Sequence, residues 1–407
     1  MSKTKRKFYV LFTRSVLKNC SLLIISTVLS LFVIEIYLHF FDNYRGQQIK
    51  VINGKKIDHR DKSRALYDLL ADGKKAYPAV YPTVFMQSLK PNKATNLLPI
   101  SGISRMLTAF CNELDQFIIY RSDRYGFNND DNVWDLNPQI LIIGDSFAHG
   151  ACVPQESTIA TNITLHFKPA VNLGMNANGP LLEFVGLVEY GSSLKPEIVL
   201  WLYFEGNDLK NLSQEIAYVE LRNYLKPGYK QGLIMKQEEI NSQLIEFVEK
   251  TKEYQSIKQN AKTASDFNCI VRFRSTRAKI SRLLFRKDQK KIVRKEAAFK
   301  PNEHDLSLFA DIIRRSRNLV TSWNGTLHFV YIPQWERYRQ SQKANIYRHE
   351  VIKAVNALGI PVIDVHAIFK TLAAPATMYA YPSRGGHFTV EGYQIVSRYI
   401  ITHLKKH

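Results

Sequence analysis

Short apolar runs alternate with longer segments of helical periodicity over the C-terminal two thirds of the chain. The five runs cover residues 139–144, 170–174, 197–204, 326–332 and 360–365. Continuous apolar runs of this length are typical of strands that helices cover on both faces, as in a parallel sheet. The pattern therefore predicts an α/β fold, a three-layer α/β/α sandwich around a mostly parallel five-stranded sheet.

The longest apolar run lies near the N-terminus, at residues 20–41. A helix of about 22 residues is roughly 33 Å long, enough to cross the roughly 30 Å hydrocarbon core of a bilayer. Residues 1–19 are basic and contain no acid, so the positive-inside rule places this tail in the cytoplasm. No small-residue cleavage site follows the apolar run, which favours a signal anchor over a cleaved signal peptide. We therefore expect one transmembrane helix, with the rest of the chain outside the cytoplasm.

The remainder divides into two parts. Residues 42–136 are polar and mixed, which predicts a membrane-proximal linker with accessory strands, and the predicted sheet occupies residues 137–407. A helical insertion at about 210–305 interrupts the sheet region and is too long for an ordinary loop. Its residues 241–263 have a helical period, and residues 271–296 are strongly basic. That basic segment either lies on anionic lipid or an acidic glycan, or forms a solvated helical cap.

Charge and cysteine content narrow the classes of partner. The 407-residue chain has a formal net charge of +20, which suits an anionic membrane surface, an acidic polysaccharide or nucleic acid. Predicted export and the lack of a recognised binding motif argue against nucleic acid. Cys111, Cys152 and Cys269 follow the membrane segment and show no zinc-like spacing, so we expect no metal and no other cofactor. One disulfide is possible among these three thiols, but the sequence does not indicate the pair.

Candidate catalytic residues follow the apolar runs. Ser146 comes directly after the first run, in ILIIGDSFAHG, where a tight turn would present its hydroxyl at the carboxyl edge of the sheet. A serine nucleophile needs a base and donors for the oxyanion. Gly174 ends the second run, Asn207 follows the third, and His387 precedes the last helical segment. We therefore predict Ser146 as nucleophile, His387 as base, and an oxyanion hole from the N–H groups of Ser146 and Gly174 and the Asn207 amide.

In these residues the sequence resembles the SGNH hydrolase superfamily, also called GDSL-type esterases and lipases. GDSF, NLGMNANG, EGNDL and HFTVEGY are similar to its four blocks. The segment RYGF before the first block resembles membrane-anchored bacterial members. The resemblance implies an SGNH/flavodoxin-like sandwich and gives Asp145 a structural role in holding the turn. It also implies location in the bacterial inner (cytoplasmic) membrane, with the C-terminal domain periplasmic or extracellular.

The resemblance further implies an activity. It suggests an outward-facing serine esterase or O-acyltransferase that acts on acyl esters, expected to be acetyl esters, of an envelope or extracellular polysaccharide. The expected partners are the acylated glycan and the polysaccharide or acyl-transfer machinery of the envelope. The alternative is a catalytically weak scaffold or glycan-binding subunit of a cell-envelope polysaccharide assembly system.

One position departs from the family pattern. An aspartate usually stands three residues before the histidine, and in this chain that position is Arg384. An arginine cannot accept the Nδ1–H bond that orients the imidazole. The sequence leaves three alternatives: a backbone carbonyl or Ser383 orients His387, a carboxylate elsewhere substitutes, or strong catalysis is lost. Asp364 and Glu391 are the candidate carboxylates.

Overall fold

The described part of the chain contains the predicted sheet and most of its surroundings. The structure is a computed structural model that describes residues 16, 18–37, 49–52, 55–89, 97–262, 301–339 and 347–406. Cys269 and the basic segment at residues 271–296 lie outside the described residues, as do residues 38–41 of the predicted membrane segment.

The strands and helices of the described residues are numbered here in chain order. The strands are β1 Ile49–Ile52, β2 Lys55–Asp58, β3 Ala76–Pro78, β4 Leu107–Ala109, β5 Ile119–Arg121, β6 Ile140–Gly144, β7 Ala170–Asn172, β8 Ile198–Phe204, β9 Thr326–Ile332, β10 Val362–Asp364, β11 Tyr379–Tyr381 and β12 Gly385–Phe388. The helices are α1 Lys18–Tyr37, α2 Lys62–Ala71, α3 Pro82–Ser88, α4 Ser146–His149, α5 Ile159–His166, α6 Pro180–Gly186, α7 Ser192–Leu194, α8 Asp208–Glu215, α9 Val219–Asn223, α10 Gln237–Glu249, α11 Lys252–Lys262, α12 Glu303–Thr321, α13 Arg348–Asn356, α14 Val365–Phe369 and α15 Val390–Leu404.

The five predicted apolar runs form one parallel sheet. Its strand order is β10-β9-β8-β6-β7, and every neighbouring pair is parallel. Within β6, Leu141 and Ile143 belong to one buried apolar cluster, and Ile140 and Ile142 belong to a second on the opposite face. Successive side chains of a strand point to opposite faces, so both faces of this sheet are covered. The predicted α/β/α sandwich with a five-stranded sheet is confirmed.

The residues before the sheet add a second, smaller sheet to the same core. Strands β3, β4 and β5 form a three-stranded sheet. Side chains of this region, including Leu66 and Phe85, belong to the same buried cluster as Leu141 and Ile143. Apolar packing therefore joins the N-terminal region to the main sheet, which brings its loops close to the carboxyl edge.

The described part of the insertion packs on that N-terminal region. Tyr254 of α11 stacks on Tyr77 of β3 with ring centroids 5.5 Å apart, and the Ser104 N–H donates to Asn241 Oδ1 at 2.9 Å. The segment with a predicted helical period is divided, over its described residues 241–262, between α10 and α11. Helix α11 begins next to Thr251, whose hydroxyl accepts the Tyr254 N–H at 3.3 Å. This part of the insertion is a structural cap on the accessory sheet.

Helix α1 is the described helix that is long and apolar enough to cross a membrane. Its large side chains are exposed on the protein, Leu23 by 70% and Ile24 by 63%. The protein does not bury these apolar side chains, so they are removed from water only if another apolar medium, such as a bilayer, covers them. The length and composition fit the predicted span, although a signal sequence near the N-terminus would have the same properties.

Candidate active site

Ser146 lies at the first position of α4, immediately after β6. Gly144 ends β6 with φ of +155°, and a Cβ there would lie 2.7 Å from the Leu202 carbonyl oxygen. Asp145 precedes the helix, and its Oδ1 accepts the Phe147 N–H at 2.9 Å, an N-cap bond that fixes the turn. Asp145 thus caps α4 at the turn that the sequence predicts it to hold. The strand and cap together place Ser146 at the carboxyl edge of the sheet.

The Ser146 hydroxyl is held inside the protein. It donates to Asp145 Oδ2 at 3.2 Å, and the residue is 4% exposed. Burial raises the pKa of the Asp145 carboxyl to about 6, against the Phe147 N–H bond that lowers it. Attack on a substrate would require the hydroxyl to leave Asp145 and turn towards a base.

His387 is on β12, which lies beside α4. Strand β12 pairs with β11 as an antiparallel hairpin, and α15 begins after the Thr389 cap. The His387 ring centroid lies 5.3 Å from that of Phe147, the residue next to Ser146. The structure therefore brings the predicted base to the N-terminal end of α4. Among the described residues no direct hydrogen bond joins Ser146 to His387, and catalytic hydrogen bonds are often long before substrate binds.

The carboxylate beside His387 is Glu113. Glu113 Oε1 lies 2.9 Å from His387 Nδ1, and Oε2 accepts the His387 backbone N–H at 2.8 Å. Burial raises the Glu113 pKa, but the hydrogen bond and charge of His387 and the charge of Arg384 outweigh it, so the pKa is lowered. Because an ionised carboxylate only accepts, the Nδ1 atom carries the proton and Nε2 is left as the basic nitrogen.

Among the described residues, neither carboxylate that the sequence suggested as a partner of His387 forms a hydrogen bond with it. Asp364 pairs with Arg348 and caps α14 through the His366 N–H at 3.1 Å. Glu391 is in the first turn of α15, past the Thr389 cap, and no described hydrogen bond joins it to His387. The prediction of Asp364 or Glu391 as the orienting acid was wrong, because contact through the fold, not closeness along the chain, decides which carboxylate reaches Nδ1.

Two features hold Glu113 against the histidine. Cys111, two residues earlier, forms a disulfide with Cys152, which follows α4 in the chain. Gly386, with φ of +96°, leaves the space Glu113 needs, because a Cβ there would lie 2.9 Å from Glu113 Oε2. The sequence signals for Glu113 were therefore two cysteines far apart in the chain and a glycine pair before the histidine. Neither signal could be interpreted before the pairing was known.

Arg384 does not point at the imidazole as a replacement for the family's aspartate. Its guanidinium lies 3.9 Å from the Tyr381 ring centroid, and the residue is exposed. Its charge helps to keep Glu113 ionised, since it lowers the pKa of that carboxyl. Arg384, which raised the doubt about catalysis, thus stacks on Tyr381 at the surface. The carboxylate beside His387 is Glu113.

Gly174 packs against α4 instead of offering a free donor. Its N–H donates to Asn172 Oδ1 at 2.8 Å. A Cβ at Gly174 would lie 2.4 Å from the Ala148 Cβ and 2.5 Å from the backbone nitrogen of His149. The prediction that the Gly174 N–H faces an oxyanion is wrong for this structure, because the Asn172 side chain already accepts that proton. The glycine is required here for close packing.

A different N–H of the same loop, that of Ala177, has no hydrogen-bond partner among the described residues. From Leu173 to Gly179 each backbone N–H donates within the described residues, apart from that of Ala177. Ala177 has φ of +65°, an uncommon conformation for a residue with a side chain. Asn211 Nδ2 holds the loop by donating to the carbonyls of Ala177 and Asn178 at 3.1 and 3.0 Å. The loop therefore presents one unused donor in a constrained turn.

Asn207 directly precedes α8, close to the end of β8. The neighbouring ring of Phe204 lies 4.6 Å from that of Phe147, centroid to centroid, which places this end of β8 beside α4. The Asn207 Oδ1 atom is buried and has no hydrogen-bond partner among the described residues. Buried amide oxygens normally accept a bond within the protein, so this side chain is not fixed by its oxygen and its amide remains a candidate contact for a substrate.

His149 is a buried structural residue behind the site. Its Nδ1 accepts the Asn176 N–H at 3.1 Å, its Nε2 bonds the Tyr120 hydroxyl at 3.0 Å, and its ring stacks on Phe110 at 4.3 Å. Burial lowers its pKa to about 3, so the imidazole is neutral. It joins α4 to the Ala177 loop and to the accessory sheet.

An open cleft of about 730 Å³ leads to His387. The accessory region forms one wall with Lys62 and Tyr81, and the β11–β12 hairpin forms another with Tyr381 and Arg384. Ser146 does not line the cleft and lies deeper, which agrees with its burial. The volume lies within the range of pockets that hold small ligands.

One group of side chains in the described residues has the spacing of metal ligands. Potential ligand atoms of Glu113, Cys152 and His387 lie within 4.8 Å of one another. The Cys152 sulfur is bonded to Cys111, and Glu113 and His387 bond each other. A disulfide sulfur is not the thiolate that binds metal, so this set fits a catalytic pair beside a disulfide.

Comparison with known proteins gives only distant structural similarity. No protein-family model matches the chain, and no curated protein matches it significantly. Similar solved structures include a lipolytic protein of the G-D-S-L family from Desulfitobacterium hafniense, 13% identical over 65% of this chain and 97% of that one, with a TM-score of 0.35. A lipase/acylhydrolase from Enterococcus faecalis is 11% identical over 66% and 95%, with a TM-score of 0.36. An acetyl xylan esterase is 9% identical over 65% and 98%, with a TM-score of 0.34. Similarities this distant leave the function to the chemistry of the site.

Proposed function

We propose that this protein is a membrane-anchored, outward-facing serine esterase or O-acyltransferase that acts on acetyl or other acyl esters of an envelope or extracellular polysaccharide. The observation that carries the proposal is the bidentate contact of Glu113 with His387 beside the helix that begins at Ser146. That contact places the Nδ1 proton on the Glu113 side and turns Nε2 away from it, the orientation in which Nε2 can take a proton from a hydroxyl.

The reaction divides into two halves. His387 Nε2 takes the proton of the Ser146 hydroxyl as Oγ attacks the ester carbonyl, and the imidazolium is stabilised by Glu113. The oxyanion is held by the Asn207 amide and the N–H groups of Ser146 and Ala177. The tetrahedral intermediate expels the sugar hydroxyl, which takes the proton from His387. The acyl group then passes to water or to another sugar hydroxyl, and Ser146 recovers its proton.

The scaffold alternative loses the feature that favoured it. Arg384 in place of an aspartate suggested that His387 had no acidic partner, and Glu113 supplies one from another part of the chain. A binding module has no need of a carboxylate that holds both the backbone and the ring of one histidine. Catalysis is therefore the function that this geometry supports best.

The test compares the full chain in detergent with its Ser146→Ala variant. We expect turnover of p-nitrophenyl acetate and labelling by a fluorophosphonate in the parent, and loss of both in the variant. Ser193→Ala is the matched control, because Ser193 is exposed and lies away from the site. Equal labelling of the parent and the folded Ser146→Ala variant, or no labelling of the parent, would contradict the proposal.

A further inference from the structure

The cleft beside His387 is lined by equal numbers of cationic and acidic side chains. Arg60, Lys62 and Arg384 line it together with Asp61, Glu113 and Asp115. The formal charges of these six side chains cancel, so the ligand preference depends on which of them are already paired within the protein.

Each of the three acidic side chains makes a contact within the protein. Glu113 holds His387 through both oxygens. Asp61 caps α2 by accepting the Arg64 N–H at 2.7 Å. Asp115 Oδ1 lies 3.5 Å from His59 Nδ1. Glu113 and Asp61 therefore accept hydrogen bonds from protein N–H groups, and Asp115 lies beside the His59 imidazole.

Of the three cations, one is paired and two are not. Arg60 bonds Asp58 at 2.7 Å and Asp68 at 3.1 Å. Among the described residues neither Lys62 nor Arg384 has a salt-bridge partner, and both side chains are exposed. Two cations outside any salt bridge of the described residues thus line the cleft, Lys62 from the accessory region and Arg384 from the β11–β12 hairpin, and they act on Glu253 and Glu113 only at longer range.

Each of these cations is associated with a tyrosine ring. The Lys62 ammonium lies 5.8 Å from the Tyr81 ring centroid, and the Arg384 guanidinium lies 3.9 Å from that of Tyr381. Both tyrosines line the cleft and are half-buried. Aromatic rings pack against the apolar faces of sugars, and a guanidinium stacked on a ring keeps its N–H edge free for an anion. A sugar ring that carries a negative charge matches both features.

From these two cation–tyrosine pairs we infer that the cleft selects an anionic glycan through Lys62 and Arg384. The glycan is an O-acylated polymer with carboxylates on its sugars. The inference rests on the proposed function for the position of the ester, which must reach Ser146. Carboxylates on sugars next to the acylated one contact the two cations, and Tyr81 and Tyr381 support the sugar rings. The chain after the predicted membrane segment is also basic, and this charge acts in the same direction because it attracts a polyanion at long range.

The test measures binding separately from turnover. The full chain carrying Ser146→Ala is titrated by calorimetry, in detergent, with O-acetylated oligogalacturonate and with the same oligomer after reduction of its carboxyl groups. We expect the acidic form to bind at least about tenfold more tightly, and the preference to fall as salt is raised. Lys62→Gln and Arg384→Gln should each reduce the preference about 3- to 10-fold.

Charge-matched controls separate a site from general attraction. Lys353→Gln and Arg398→Gln remove the same charges from exposed positions on α13 and α15, outside the cleft, and should leave the preference unchanged. Lys62→Arg should retain most of it. Equal affinity for the two oligomers, or an equal loss in the cleft and control variants, would overturn the inference. Neither result depends on turnover, so failure of the esterase proposal would be seen separately, as absence of Ser146-dependent acetate release.

Discussion

At the scale of single residues, the site depends on contacts between groups far apart in the sequence. Glu113 and His387 are 274 positions apart, yet Glu113 bonds both the ring and the backbone of His387. A carboxylate in this position orients the base and stabilises its protonated form. Its role can be tested by removing only the charge.

We predict that Glu113→Gln lowers kcat for p-nitrophenyl acetate by about 10²- to 10⁴-fold. The glutamine keeps the size of the side chain but removes the negative charge that stabilises the imidazolium, and its NH₂ group can force the wrong tautomer. Asp364→Asn and Glu391→Gln serve as controls and should stay within about tenfold of the parent. Steady-state kinetics on samples of matched circular dichroism measures the effect. A Glu113→Gln enzyme of near-parental kcat would remove Glu113 from the mechanism.

Asp145, the buried acid next to Ser146, should make the stability of the protein depend on pH. Burial raises the Asp145 pKa from 3.8 to about 6. Between these values the unfolded chain releases the proton and the folded chain keeps it, so rising pH favours unfolding in that window and has no further effect above about pH 6. Asp145→Asn should therefore gain stability relative to the parent between pH 4 and pH 6, by up to about 1.4 kcal/mol per pH unit. Urea unfolding at several pH values measures this, and parallel pH profiles for the two proteins would refute it.

At the scale of elements, the accessory region completes the site. Strand β4 leads to Cys111 and Glu113, while β12 carries His387 and α4 carries Ser146. The disulfide joins the first of these segments to the residues after α4. A region predicted as linker and accessory strands thus contributes the acid of the proposed catalytic set.

We predict that the double variant Cys111→Ser, Cys152→Ser loses both stability and activity. The bond closes a loop with a sequence separation of 41, for which the lost chain entropy corresponds to about 2–4 kcal/mol. Activity should fall further than stability explains, because Glu113 is then less firmly held against His387. Urea unfolding and ester turnover below the unfolding midpoint measure the two effects. Cys20→Ser is the control, since Cys20 is a free, exposed residue on α1. Unchanged turnover in the folded double variant would show that the disulfide does not position Glu113.

At the scale of the whole molecule, α1 is exposed on the protein and is long and apolar enough to cross a membrane. We predict that the full chain stays in the membrane fraction after extraction with alkaline carbonate and is released by detergent. A variant without residues 1–41 should be soluble. Intact mass of the mature protein distinguishes an anchor, which keeps these residues, from a cleaved signal peptide. A reporter active only outside the cytoplasm, fused after residue 60, tests the orientation, and its silence would contradict the predicted topology.

The sequence by itself determined the elements whose pattern is local. Strands β6 to β10 correspond to its apolar runs because burial on both faces requires continuous apolar residues. The sequence also predicts that Ser146 and Asn207 lie at the same edge of the sheet, because each comes after a strand and the carboxyl ends of parallel strands meet at one edge. For these residues the information lies within a few positions along the chain.

Only the tertiary structure decided which groups meet. Glu113 reaches His387 because a disulfide and Gly386 bring two distant segments together, and no periodicity along the chain encodes that contact. The use of the Gly174 N–H by Asn172, which leaves Ala177 as the free donor, likewise depends on side-chain packing. A local pattern specifies which face of an element is buried, whereas hydrogen-bond partners are chosen by the three-dimensional positions of atoms from separate elements.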